Sequence, residues 1–389
     1  MDVKEFYLWL VWLVSHLWGG RRRRNVVYLM SFSDNLPLIE ALAAALPADR
    51  QLTVFYRPAQ AAAAARLTQA GVTVRPFHDG FGFALTGIPV IMGARLLFCD
   101  NYYAFLGGLY HPQNMTIVQL WHAAGAIKRF GWEDPTTQDR SASDRRRFQA
   151  VYDHFDEYVV GAPAMGDVFV RSYQVPQTRM QVLGYPRSDR LRDDAWVERT
   201  RQRIYQALPD LSGHRVILYA PTYREGVTFT PPAGLAAALT ADPTARVVVK
   251  LHPVLAAAAT DLQRQLGDQG VLASAFSTAE LLTVTETLVT DYSSVAFDYG
   301  LLDNAHSLLF YLFDLPSYSD NPGVQADLLD WLPSPVLRDS QELAAAIVAD
   351  RQTDLEQFNH RWNQANDGQA TDRVITRYLA LLTGSANVD

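Results

Sequence analysis

Short, largely apolar runs that alternate with alanine-rich helical stretches constrain this chain more than any other feature. Residues 25–32 (NVVYLMSF), 51–56 (QLTVFY), 95–99 (RLLFC) and 116–120 (TIVQL) have the pattern of strands buried on both faces. Residues 36–46 and 60–70, between them, are rich in alanine at helical spacing. This alternation predicts an α/β fold built on a parallel sheet. A second series follows at 215–220 (RVILYA), 246–251 (RVVVKL), 271–273, Thr287–Thr290 and 307–312 (SLLFYL). Residues 188–213, polar and charged, separate the two series and mark a domain boundary. No fixed-period repeat is present, which disfavours a solenoid or propeller. The simplest expectation is two Rossmann-like domains facing a cleft, 25–190 and 191–389, the second ending in helices.

A chain of 389 residues with 49% hydrophobic content has enough apolar surface for two such cores. Its one cysteine, Cys99, supplies neither an internal disulfide nor a thiolate metal cluster, which suits a reducing compartment. The net charge of -7 argues against a protein that coats nucleic acid, because phosphate neutralisation needs a broad basic surface.

Residues 1–24 stand apart. Lys4, Arg21, Arg22, Arg23 and Arg24 outweigh Asp2 and Glu5, so this stretch carries +3 and leaves -10 for the rest. Residues 6–18 (FYLWLVWLVSHLW) are apolar but too few for the roughly twenty residues of a spanning helix. The arginines follow the apolar run rather than precede it, the reverse of an export signal. Trp9, Trp12 and Trp18 favour the headgroup region, and the arginines favour anionic lipid. The expected reading is a helix lying in a membrane surface. The competing one is a first helix packed on the protein's own core.

Ligands of doubly wound sheets bind beyond the carboxyl ends of strands, so polar residues there carry most weight. Four such places stand out. His122 follows the strand at 116–120, where an imidazole can take a proton from a hydroxyl near neutral pH, although taken alone it reads more readily as a satisfied structural histidine. Lys250 and His252, with Pro253, follow another strand and suit phosphate oxygens. Thr222 and Arg224 follow a third. The fourth is Thr290-Asp291-Tyr292-Ser293-Ser294 ahead of an expected helix, whose free N–H groups and serine hydroxyls would make an anion site; alternatively the serine caps the helix and Asp291 holds the turn. The chain lacks a G-x-x-x-x-G-K-[ST] loop, a G-x-G-x-x-G after the first strand, an H-E-x-x-H and any Asp-x-Asp. Histidine, lysine, arginine and helix dipoles would then manage a diphosphate without a metal.

Together these segments resemble the CDP-glycerol glycerophosphotransferase family, the teichoic acid primases and polymerases of Gram-positive bacteria. The resemblance runs through QLWHAAGAIKRFG (119–131), LGYPRSDRL (183–191), ILYAPTYRE (217–225), VVVKLHP (247–253), LVTDYSSVAFDYGLLD (288–303), FYLFDLPSY (310–318) and DGQATDRV (367–374). It implies a GT-B fold without a bound catalytic metal or cofactor, the carboxyl domain binding the CDP donor. It also implies transfer of glycerol phosphate from CDP-glycerol to a hydroxyl of an undecaprenyl-diphosphate-linked disaccharide at the cytoplasmic membrane face, with release of CMP. His122 and His252 match the family's two essential histidines, His122 as base and His252 on the diphosphate, with the roles exchangeable. Ser293 and Ser294 would hold donor phosphate, Thr222 and Arg224 would line the donor site, and Asp327 matches a carboxylate there. The chain departs from the family at Ala123, where glycine is usual, and at Pro322-Gly323-Val324-Gln325, in place of an Arg-Gly-aromatic segment. Its length matches the family's one-unit primases and small transferases better than its long polymerases. A second-step glycerol- or ribitol-phosphate transferase is the nearest alternative, ahead of a nucleotide-sugar glycosyltransferase or a non-enzymatic membrane scaffold.

Overall fold

The first series of apolar runs pairs into one sheet and the second into another. A computed structural model describes residues 2–222, 224, 230–251 and 255–383. Strands β1 (Asn25–Met30), β2 (Leu52–Tyr56), β3 (Thr73–Pro76), β4 (Ala94–Cys99), β5 (Thr116–Gln119), β6 (Glu157–Val160) and β7 (Met180–Val182) lie in the order β3-β2-β1-β4-β5-β6-β7. Strands β8 (Val216–Tyr219), β9 (Arg246–Val249), β10 (Gly270–Val271), β11 (Thr287–Thr290), β12 (Ser307–Tyr311) and β13 (Val336–Leu337) lie in the order β10-β9-β8-β11-β12-β13. Every strand pair is parallel. Counted from its own first strand, each sheet runs 3-2-1-4-5-6, the Rossmann order, and the first sheet adds a seventh strand. The direction of strand addition reverses between β1 and β4, and again between β8 and β11. Such switch points open a crevice at the carboxyl edge.

Four strands carry no strong apolar signal in the sequence: β3, β6, β7 and β13. Of these, β3, β7 and β13 are edge strands whose residues are half-buried or exposed, so pairing to one neighbour rather than burial defines them. The fourth, β6, is buried but only four residues long.

The chain divides into two compact units. One holds the residues up to Ala123, Gly131–Asp189 and the stretch from Ala365 onward; the other holds Ala124–Phe130 and Arg190–Gln364. The change of unit at Asp189 falls inside the polar stretch singled out from sequence. The carboxyl end, expected in the second domain, packs instead in the first unit. Val374, Tyr378 and Leu382 recur every fourth residue on the helix Ala370–Thr383 and join the core made by Val26 and Tyr28 of β1, Phe98 of β4 and Leu38 and Leu42 of α2 (Leu36–Ala45). Polar contacts fix the same docking. Arg377 pairs with Glu157 of β6 at 2.7 Å, and the Asp189 carboxylate accepts the first N–H groups of the helix, from Ala370 and Thr371. Ala63, Ala64 and Leu67 of α3 (Ala61–Gln69) complete that side of the sheet.

Residues 1–24, expected as a separate segment, are also part of the first unit. Helix α1 (Val3–Leu17) buries Val11, Val14 and Ser15, packing against a short turn at Ala104–Gly108 and against α4 (Phe81–Thr86). Only glycine fits at Gly108, since a Cβ there would lie 2.5 Å from the Leu8 carbonyl oxygen. Ser15 accepts the Tyr110 N–H at 2.9 Å, and Tyr7 donates to Asp79 at 2.6 Å. The other face of α1 is left outward: Trp9, Trp12 and Trp18 are 44%, 47% and 44% exposed, with Phe6 beside them. Phe6 meets the exposed ring of Phe81 on α4 at 5.6 Å. Arg21 donates to the Pro89 carbonyl and Arg23 to Asn114, while Arg22 and Arg24 are exposed. The packed-helix reading and an outward aromatic face therefore hold together. Among the described residues, no helix is long and apolar enough to cross a membrane.

Candidate active site

At the first switch point, β1 and β4 lie side by side, with Leu29 opposite Cys99, so the residues that follow them meet. Asp100 follows β4 and is fully buried. Its carboxylate accepts N–H groups from the loop after β1, Ser31 at 2.9 Å and Phe32 at 3.0 Å, and the Tyr103 hydroxyl at 3.1 Å. Burial lifts its pKa to about 7, and these donors pull in the opposite direction.

His122 follows the neighbouring strand β5. The intervening Trp121 has a left-handed backbone (φ 58°), a conformation costing an aromatic residue about 1–3 kcal/mol. The buried Gln119 holds that turn: its side chain accepts the Trp121 N–H at 2.9 Å and donates to the Asn101 carbonyl at 3.1 Å. The turn brings the His122 ring onto Phe32, with centroids 4.6 Å apart, and sets Nδ1 3.3 Å from the Asp100 carbonyl oxygen. A carbonyl only accepts, so Nδ1 carries a proton, and in the neutral ring the lone pair is then on Nε2. That is the tautomer a general base uses.

The second switch point, between β8 and β11, gathers a different set. Asp291 is buried and accepts the Thr222 and Tyr292 N–H groups, each at 2.6 Å. Arg224 reaches both Asp291 at 3.0 Å and Asp314 at 2.8 Å. Burial opposes the charge on Arg224, but the two carboxylates outweigh it and hold its pKa above the ordinary arginine value. Tyr292 donates to Asp314 at 3.1 Å and stacks on Tyr318 at 3.6 Å, with the guanidinium 5.1 Å from the Tyr318 ring centre. Ser293 and Ser294 follow, half-buried, at the start of the five-residue helix Val295–Tyr299, where Ser294 is the N-cap without a side-chain capping bond. The segment from Ala124 to Phe130 also belongs to this unit. Gln325 donates its N–H to the Ile127 carbonyl at 2.8 Å, and Arg129 donates to Gly323 at 3.0 Å. The Pro322–Gln325 departure is thus the partner of the stretch that follows His122.

The expected donor residues divide accordingly. Thr222, Arg224 and Asp291 are brought together. Asp291 holds the turn, as its alternative reading had it, and the Arg224 charge is engaged by carboxylates. Lys250 donates one of its three N–H groups to the Phe276 carbonyl at 2.5 Å. Asp327 precedes the helix Leu328–Trp331 and is engaged with Arg361 at 2.5 Å and Trp331 at 3.3 Å. His252 lies outside the described residues. The sequence reading passed over Asp100, Gln119, Phe32, Asp314 and Tyr318. An aspartate directly after an apolar strand was the available signal for Asp100, as it was for Asp291.

A sequence profile of the CDP-Glycerol:Poly(glycerophosphate) glycerophosphotransferase family matches residues 25–379. The chain belongs to this family. It is accordingly an enzyme, a CDP-glycerol glycerophosphotransferase of the teichoic acid class. The teichoic acid glycerol-phosphate primase of Bacillus spizizenii (strain ATCC 23059 / NRRL B-14472 / W23) is 31% identical over 292 residues, 74% of each chain. That of Bacillus subtilis (strain 168) is 27% identical over 299 residues, 75% of each. Among solved structures, the wall teichoic acid polymerase TagF aligns with a TM-score of 0.74 at 18% identity, covering 97% of this chain and 95% of that one. That likeness gives this glycerophosphotransferase the GT-B-like fold.

Proposed function

We propose that this glycerophosphotransferase moves glycerol phosphate from CDP-glycerol to a hydroxyl of an undecaprenyl-diphosphate-linked disaccharide, at its N-acetylmannosaminyl end, as a teichoic acid primase. The observation that carries the reading is the orientation of His122, whose Nδ1 faces the Asp100 carbonyl and so leaves Nε2 as the basic nitrogen. Nε2 takes the proton of the acceptor hydroxyl, and the oxygen attacks the phosphorus that bears glycerol. The new P–O bond forms as the bond to the bridging oxygen breaks, and CMP leaves.

His252, Ser293 and Ser294 are assigned to the donor diphosphate, and Thr222 to the lining of the donor site. Asp291 and Asp314 are both engaged by Arg224 and so are poor metal ligands, which supports catalysis without a metal. The outward face of α1, with Phe81 and Leu85 of α4 and with Arg22 and Arg24, supports contact with an anionic membrane surface. The similarity to two glycerol-phosphate primases over three quarters of their length supports the primase role.

The test is mass spectrometry of the products formed with CDP-glycerol or CDP-ribitol and a synthetic lipid-linked disaccharide. One added glycerol phosphate together with released CMP is the expected result. Release of CDP, or a product carrying many units, would overturn it.

A further inference from the structure

Two of the contacts that hold the His122 imidazole run through one residue. The Asp100 carbonyl oxygen faces Nδ1, and the Asp100 carboxylate holds the Ser31 and Phe32 N–H groups, which places the Phe32 ring against the imidazole. Tyr103 closes the arrangement, its hydroxyl 3.1 Å from the carboxylate and 2.8 Å from the Ser31 hydroxyl. We infer that Asp100 is the positioning residue of the catalytic base, setting the tautomer of His122 through its backbone and the plane of the ring through its side chain. The inference rests on the reading of His122 as base.

An independent observation comes from the second sheet. There too an aspartate directly after the fourth strand, Asp291, accepts backbone N–H from the loop after the first strand, at Thr222. The same device thus appears at both switch points, and in each it fixes the loop that borders the crevice. In the second unit it is combined with an arginine. In the first it meets Phe32, and through Phe32 the base. A carboxylate used only to hold the fold would not need the stacked ring. Here the restrained loop ends on a ring stacked on the imidazole, which also has the Trp121 ring 4.3 Å away, and displacement of a reacting group by 1 Å costs a rate on the order of 10²-fold.

The test is a kinetic cycle on the full-length enzyme with CDP-glycerol and a lipid-linked acceptor. Asp100→Ala should lower kcat by about 10- to 100-fold and leave the KM for CDP-glycerol within about twofold. Asp100→Asn should restore most of the rate, because its amide oxygen still accepts the Ser31 and Phe32 N–H groups and the Tyr103 hydroxyl can turn to accept from the amide. In a His122→Ala background, itself down by about 10²- to 10⁴-fold, Asp100→Ala should add no further loss, since a residue acting through the base has nothing left to position. If Asp100→Ala does not fold, Phe32→Leu reads the same coupling on a half-exposed residue. A several-fold loss of kcat that disappears in the His122→Ala background is the expected result.

A fully additive loss, or a raised donor KM with unchanged kcat, would overturn the positioning role while leaving the base in place. Near-native turnover in His122→Ala would instead overturn the base and the inference that depends on it.

Discussion

Replacing Arg224 by alanine leaves two carboxylates facing each other in the second unit without their shared cation. Arg224 makes one charge-assisted hydrogen bond to Asp291 at 3.0 Å and one to Asp314 at 2.8 Å, with Asp291 almost wholly enclosed and Asp314 partly open to solvent. Such bonds are worth about 1.5–3 kcal/mol each, and breaking a buried pair from one side costs about 3–5 kcal/mol. Asp291 keeps its two backbone donors and Asp314 regains some water, so the lower part of that range applies, about 3–4 kcal/mol near pH 8. In a unit of this size that lowers the melting temperature by roughly 6–16 °C.

The deficit should depend on pH in a stated direction. Burial already raises the native pKa of Asp291 above its unfolded value despite Arg224, and removing the guanidinium raises it further, so between the two native values the folded variant holds a proton that the folded wild type has lost. The deficit is therefore smallest at low pH and grows as pH rises from the wild-type native pKa through the variant's. Arg224→Lys should recover only part of the loss, because one ammonium does not span both carboxylates as the planar fork does. Thermal unfolding of the wild type and both variants at pH 5 and pH 8 measures all of this. A loss below about 1 kcal/mol that is equal at both pH values would refute the reasoning, and would mean that the guanidinium is free to serve the donor.

Three other outcomes are expected. Activity should survive EDTA; its abolition, with recovery on adding Mg²⁺ or Mn²⁺, would mean that carboxylates such as Asp291 and Asp314 hold a metal. Changing Trp9, Trp12 and Trp18 to Ser and Arg22 and Arg24 to Gln should release the enzyme from anionic vesicles in flotation assays and slow transfer to a long-chain acceptor, while sparing a short soluble analogue. Point changes are required because deleting α1 would uncover the surface that Val11, Val14 and Ser15 cover, so a truncation would report folding rather than lipid contact. Finally, the Asp100 carboxyl titrates near 7 in the native protein against an ordinary 3.8, while the neighbouring Tyr28, Cys99 and Tyr103 are pushed upward, out of that window. Between those two values the folded chain holds a proton that the unfolded chain has lost, so this contribution is complete below about pH 4 and falls by roughly 4 kcal/mol as pH rises through 7. Urea titrations should show Asp100→Asn without that fall; parallel profiles for the two proteins would contradict it.

The two parallel sheets were legible because a strand buried on both faces has to be a continuous apolar run, and that constraint is local. The strand-end positions of His122, Asp291 and the two serines were legible for a related reason: these residues directly follow such runs, and the carboxyl edge of a parallel sheet is where ligands of such folds bind. Edge strands such as β3 and β7 escaped notice because half their surface faces solvent and their composition does not have to change. The destination of the helix Ala370–Thr383 was also hidden. Its apolar stripe at 374, 378 and 382 says that it must pack, but the choice of the first sheet depends on Glu157 and Asp189, about two hundred residues earlier in the chain. The same holds for α1, whose composition served a membrane surface and a protein core equally well, until the fold buried one face and left the tryptophans outward.

The limit was sharpest at the site. Sequence alone assigned residue types to strand ends and, with the family motifs, a reaction class. Only the tertiary structure decided how each charge is used: Arg224 between two aspartates, Lys250 on a carbonyl, Asp327 with Arg361, and Asp100 beneath His122. Which groups neutralise one another is a property of distance after folding, and a pair such as Ser31 and Asp100, 69 positions apart, leaves no trace in the local pattern of either.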